Sequence, residues 1–129
     1  MSTPNTRPHL LASLVLLIAV AMGAFGAHGL KGFFTENPDL EDIYETAVLY
    51  QFVHGLALLW CSGRPNAGIQ KATWCFFIGI LFFSGSLYGI VFTEIRSLGA
   101  ITPIGGTLFL VGWLLLALQP SKSTSEELS

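Results

Sequence analysis

Four apolar stretches, roughly Leu10–Leu30, Ile43–Cys61, Ala72–Phe92 and Ile101–Leu118, alternate along the chain with short polar connections. Each approaches the ~17–25 residues that carry an α-helix across a bilayer, and charged residues avoid their centres. The pattern predicts an all-α fold, an integral membrane four-helix bundle. Its transmembrane domain is expected at 10–118, with helices about 10–30, 40–61, 72–92 and 102–118. A short tail at 1–9 containing Pro4 and Pro8 precedes it, and a Ser/Thr/Glu-rich tail at 119–129, expected to be disordered, follows.

Helical projection divides these stretches into faces. In the first, Leu11, Leu14, Ile18, Met22 and Phe25 share a face suited to lipid, while Ala12, Ala19, Gly23 and Gly26 share one suited to a neighbouring helix. His28 projects away from that small-residue stripe, near Ala21 and Ala24. In the second, Tyr44, Ala47, Gln51, His54, Gly55 and Leu58 fall together, opposite Leu49, Val53, Leu56 and Trp60. A face carrying Gln51 and His54 must point into the bundle, because unpaired polar groups are costly in hydrocarbon. His54 is expected near mid-depth. In the third, Gly85 and Gly89 form a GxxxG with Ser84 and Tyr88 along its edge, and in the fourth Gly105 and Gly106 precede Thr107. Small residues let helix backbones approach closely, so Gly23, Gly26, Gly55, Gly85, Gly89, Gly105, Gly106 and Gly112 are the expected packing positions.

The connections carry turn and cap signals. Asn37-Pro38 marks a turn, and Asp39 with Asp42 is placed to cap the second helix. Thr102 before Pro103 reads as an N-cap followed by proline at the first helical position. Gly63, Pro65, Asn66 and Gly68 mark the second connection, flanked by Trp60 and Trp74 as interfacial aromatics.

Composition agrees with a bilayer as solvent: 52% of residues are hydrophobic and 11% charged, against about 25% charged in soluble domains. The net charge of -2 without a basic cluster excludes a nucleic-acid footprint, and there is no polybasic segment for anionic lipid. The first apolar run is too long for a signal-peptide core and three more runs follow, so it reads as a retained helix. Cys61 and Cys75 without a CxxC give no metal or disulfide framework. Arg7, Arg64, Lys71 and Lys122 lie on one side of the expected topology and Lys31 and Arg96 on the other. That bias puts both termini inside.

Gly-Ala-Phe-Gly-Ala-His at Gly23–His28, Tyr50-Gln51-x-x-His54, Phe83-Ser84-Gly85-Ser86-Leu87-Tyr88 and Thr102-Pro103-Ile104-Gly105-Gly106 followed by Gly112-Trp113 carry a family resemblance. In that order they resemble the YgdD-like family of small four-helix membrane proteins. The resemblance covers the four helices and omits both tails. It implies a multi-pass location, most simply the bacterial inner membrane, and carries over no catalytic or binding residues.

His28, Gln51, His54, Ser84, Ser86, Tyr88, Thr102 and Thr107 form the candidate intramembrane polar site. With both termini inside, these residues fall in the outer half of the bundle, with His54 at its centre. Histidine changes charge near neutral pH, so the set could serve a proton or ligand path. Interhelical hydrogen bonding is the structural alternative. No catalytic, phosphate-binding or nucleotide motif occurs, so an enzyme is not expected, and neither is a cofactor or a metal. The expected partners are the lipid bilayer together with a membrane-protein partner or a second copy of the chain. The sequence thus points to a non-catalytic accessory or structural membrane component acting through helix association. The alternative is an oligomeric transporter of a small solute or protons using the polar layer around His54.

Overall fold

The computed structural model describes residues 7–120; the expected tails lie largely outside the described residues. Five α-helices follow one another: α1 (Leu10–His28), α2 (Lys31–Glu36), α3 (Pro38–Cys61), α4 (Ala67–Thr93) and α5 (Thr102–Ala117), with a 3-10 turn at Arg96–Ala100 before α5. Among the described residues all regular structure is helical.

Helix boundaries depart from the apolar runs where local chemistry extends a helix beyond the hydrophobic stretch. α2 is a short helix where a polar turn is expected; it buries Phe34 and ends where the Asn37 side chain donates to the Phe33 carbonyl, 2.9 Å. α3 starts at Pro38, whose fixed φ suits a first turn. Asp39 does not cap it. Instead Asp39 occupies the first turn and pairs with Arg96, and the hydrogen bond and charge of that guanidinium hold its carboxyl below the ordinary value. α4 begins at Ala67 because the Asn66 side-chain oxygen accepts from the Ile69 N–H, 3.1 Å. Thr102 is likewise not a cap: Ile101 takes that position and Thr102 is already helical.

The ends of the described chain meet at one end of the molecule. His9 Nδ1 lies 2.7 Å from Ser62 Oγ in the α3–α4 connection, and Gln119 lies against Gly68. At the opposite end the Asp39–Arg96 pair ties the first turn of α3 to the 3-10 turn before α5. Successive long helices therefore run antiparallel. α3 and α4 form the centre, α1 lies along α3, and α5 lies along α4.

The helix faces explain this arrangement. Ala47, Gln51, His54 and Leu58 of α3 are buried, while Leu49, Val53, Leu56 and Trp60 are exposed. Along α1, Ala12 and Ala19 are buried, and Leu11, Leu14, Ile18 and Phe25 are exposed; Met22 instead turns inward against the Tyr44 cluster. α4 and α5 meet through glycines, with Gly79 against the Phe109 ring and Gly105 against the Phe83 backbone. One apolar cluster, including Leu58, Phe76 and Phe109, fills the end that holds the termini, and another, around Leu40, Tyr44 and Val91, fills the opposite end.

Large apolar side chains also cover the outside, Leu110 being 73% exposed and Leu17 64%. Three segments are long and apolar enough to cross a membrane: Leu10–His28, Ala67–Thr93 and Arg96–Ala117. α3 is not among them. Its acidic first turn and the polar groups Tyr44, Gln51 and His54 lower its average hydropathy, although these three side chains are buried between helices.

Candidate functional site

The buried face of α3 organises the polar side chains. Gln51 is 5% exposed and joins three helices: its Nε2 donates to the Val15 carbonyl of α1, 3.0 Å, and its Oε1 accepts from the Tyr88 hydroxyl of α4, 2.7 Å. One turn earlier, Ser84 Oγ of α4 donates to the Ala47 carbonyl of α3, 2.7 Å. Tyr44 continues this seam, donating to the Met22 carbonyl of α1 while its ring meets that of Tyr88 edge-on. These residues bond α3 to both of its neighbours.

His54 lies on the side of α3 that meets α5. The Trp113 indole can only donate, and its N–H points at His54 Nε2, 3.0 Å. Nε2 must therefore offer a lone pair, and Nδ1 carries the hydrogen that it donates to the Tyr50 carbonyl at 2.9 Å. The Phe109 ring stacks on the imidazole with centroids 3.5 Å apart and planes 7° apart. Both ring nitrogens and one ring face are thus committed. A second ring proton would confront the indole N–H, so this geometry belongs to the uncharged histidine.

Of the remaining candidates, Ser86 and Thr102 form a separate pair across α4 and α5, 2.6 Å apart. Ser86 donates to the Phe83 carbonyl, 2.9 Å, and so accepts from Thr102. Thr107 is exposed and returns its hydroxyl to the Pro103 carbonyl one turn back, 2.8 Å. His28 is exposed at the end of α1. The expected single polar layer is therefore resolved into three groups: Gln51 with Ser84 and Tyr88, His54 with Trp113, and Ser86 with Thr102. His28 and Thr107 join none of them, because both project from helix faces that meet no neighbour.

The packing glycines also separate. A Cβ at Gly26 would strike the Tyr44 ring, one at Gly55 the Leu16 side chain, one at Gly89 Leu98, and one at Gly112 the Phe76 ring. Gly23 and Gly106 have looser neighbours at 3.6 and 3.8 Å. Gly85 is a correction: nothing stands within 4 Å of its Cβ position, because α1 leans on α3 and leaves this side of α4 open. Two participants escaped the sequence reading of the site. An indole N–H inside hydrocarbon needs an acceptor, which was a signal for Trp113, and Tyr44 shares the α3 face with Gln51.

Among the described residues every buried side-chain nitrogen and oxygen has a hydrogen-bond partner, and no group of three or more His, Cys, Asp and Glu is placed to hold a metal ion. Cys61 and Cys75 are free thiols. The arrangement holds helices in register.

Residues 22–106 match the family model described as "Protein of unknown function (DUF423)". The chain belongs to that family. It is similar to a UPF0382 membrane protein of Staphylococcus epidermidis, 47% identical over 116 residues that cover 88% of this chain and 93% of the relative. UPF0382 membrane proteins of Staphylococcus aureus and Staphylococcus haemolyticus are similar at 47% and 46% over the same shares. No solved structure matches the chain. The relatives' names and the apolar helices make this a membrane protein of a family without an assigned function.

Proposed function

We propose that α1, α3, α4 and α5 each cross the bilayer once, as a YgdD-like protein of the bacterial inner membrane, and that the chain is a non-catalytic accessory or structural component acting through helix association. α3 completes the set of spans because its polar side chains face other helices while Leu49, Val53 and Leu56 face outward. The membrane part of α3 begins beyond its acidic first turn. Arg7, Arg64 and Lys71 at the end holding the termini, against Lys31 and Arg96 at the other, support both termini inside. Reporters fused to each end test this, and an external signal from either refutes it.

One observation carries the accessory role. Gln51, His54, Ser84 and Tyr88, the groups a transport path would use, spend their hydrogen bonds on other helices or on their own backbone. Such bonds fix register and leave the apolar exterior for association. Purification of the full chain in mild detergent, with mass spectrometry of what remains bound, tests the reading. A stoichiometric membrane-protein partner or a second copy is the expected result. Solute or proton flux into vesicles that is abolished by His54→Ala would instead establish the transporter reading.

A further inference from the structure

His54 and Trp113 join α3 to α5 through a bond that only one protonation state permits. The indole N–H can donate and never accept, and it points at His54 Nε2 from 3.0 Å. A proton added at Nε2 would set two N–H groups against each other at that distance, turning an attraction into a repulsion. One of the two rings must then leave.

The surroundings decide which one. On protonation the imidazole keeps its Nδ1–H bond to the Tyr50 carbonyl, 2.9 Å, and a charged donor strengthens that bond. The Phe109 ring stacked on it, with centroids 3.5 Å apart, attracts a cation as well. His54 is also buried. Trp113, by contrast, is 43% exposed and lines an apolar groove of about 590 Å³ between α3 and α5, together with Val53, Leu56, Trp60 and Leu116. It also packs on Phe76, ring centroids 4.8 Å apart, an apolar contact that the groove walls can replace. The indole therefore moves and the imidazolium stays.

The same groove gives the proton a route. From Val53 to Trp60 the helix rises about 10 Å at 1.5 Å per residue. The groove thus joins the level of His54 to the end that holds the termini, where Ser62 meets His9. Among the described residues, the rings against the imidazole are Tyr50 of α3, Phe76 of α4, and Phe109 and Trp113 of α5, of which only Tyr50 carries a titratable group. Beside it α1 reaches α3 through Val15 and Leu16 at Gly55. No carboxylate or ammonium from any of these helices stands there to hold or to forestall the charge.

We propose that His54 and Trp113 form a proton-operated latch between α3 and α5. A proton taken from water at the end holding the termini adds to the Nε2 lone pair, the N–H···N bond breaks, and the indole swings into the α3–α5 groove. The new Nε2–H then faces the space the indole has left. This changes the apolar exterior that α3 and α5 offer to a neighbouring helix. The latch needs no flux across the bilayer, so it is distinct from a transport path, and it stands on the α3–α5 seam whether or not a partner is found.

The test uses the full chain in bilayer discs, labelled with nitrogen-15 at tryptophan and histidine. Nuclear magnetic resonance follows it from about pH 8 to about pH 4, a span that brackets ordinary histidine titration. The chain has three tryptophans, and the indole signal absent from Trp113→Phe identifies the latch. Its indole proton should contact the His54 ring at the alkaline end and the Val53 and Leu56 methyl groups at the acid end. The midpoint of that move should coincide with protonation of His54 Nε2. In His54→Gln the indole should hold one position across the range. A Trp113 indole that keeps its His54 contact at the acid end, or a midpoint different from that of Nε2 in the unaltered chain, overturns the proposal. An acid-induced move that persists in His54→Gln does the same. The coincidence of midpoints is read in the unaltered chain and does not depend on how the variant folds.

Discussion

Gly105 and Gly106 are adjacent on α5 yet meet opposite surroundings, and substituting each by alanine tests the packing directly. A Cβ at Gly105 would overlap the Phe83 backbone nitrogen and stand 2.7 Å from the Gly79 carbonyl oxygen. Both are backbone atoms of α4 and cannot rotate aside. Restoring ordinary contact requires α4 and α5 to part by about 1 Å, and a gap of that size forfeits a quarter to a half of each atom pair's attraction. Overpacking of this kind costs about 3 kcal/mol, the upper part of its usual range, because the whole interface opens. At Gly106 the nearest atoms are Phe83 ring carbons at 3.8 Å. A methyl group fits there, and alanine's helix propensity adds about 1 kcal/mol in its favour. Reversible unfolding of the full chain in mixed micelles, followed by tryptophan fluorescence, reads the difference. The propensity gain is common to both variants and cancels between them, so Gly105→Ala should be the less stable by roughly 3 kcal/mol; equal stability of the two variants would show that α4 and α5 do not cross at this point.

The same assay carries further outcomes. Trp113→Phe leaves His54 Nε2 without its donor and should cost about 1 kcal/mol. Adding His54→Phe should then cost less than the single His54→Phe change costs alone, and full additivity would mean that the pair does not interact. Tyr88→Phe removes one of two ties at Gln51 and should cost about 0.6 kcal/mol, the average for such bonds in membranes; Gln51→Ala should cost more, since it also frees the Val15 carbonyl. At the surface, Arg96 lowers the Asp39 carboxyl below its ordinary 3.8. A depressed value means that the pair's contribution is complete above that ordinary value and disappears as pH falls through the lower, folded one. The thermal midpoint of the unaltered chain should therefore fall more between pH 5 and pH 2 than that of Asp39→Asn, and parallel curves would refute the pairing.

Periodicity made some of this fold readable and concealed the rest. Gln51 and His54 three residues apart declare which side of α3 faces protein, because no lipid can satisfy them, and Leu49, Val53 and Leu56 mark the other side by the same rule. Both groups lie where that rule puts them. Helix starts were less legible, since a cap depends on which of several neighbouring polar residues has a better partner. Asp39 could cap α3 by type and spacing, but Arg96 lies across the connection and takes its carboxylate. That competition joins residues far apart in the chain, and no local pattern reports it. α2 was hidden for a related reason: its Phe33 and Phe34 are too few to display a helical period, and its burial depends on Leu40 and Tyr44 arriving from α3.

The candidate polar site shows what spacing alone leaves undecided. Depth along each helix was enough to place Gln51, Ser84 and Tyr88 at similar levels, and Gln51 and Tyr88 do bond while Ser84 takes the Ala47 carbonyl beside them; it could not specify rotation between helices, which decides the partners. His54 lies three residues from Gln51, about 60° away around the helix axis, and that offset on one buried face turns it from α1 and Tyr88 toward Trp113 on α5. Glycine spacing has the same blind spot. Gly105 and Gly85 both look like contact positions, yet one touches backbone and the other borders an open cleft. The difference comes from α1, which leans on α3 at Gly55 and so stands off from α4. A GxxxG reports that a close approach is sterically allowed, and only the other helices determine whether a helix or a lipid chain uses it.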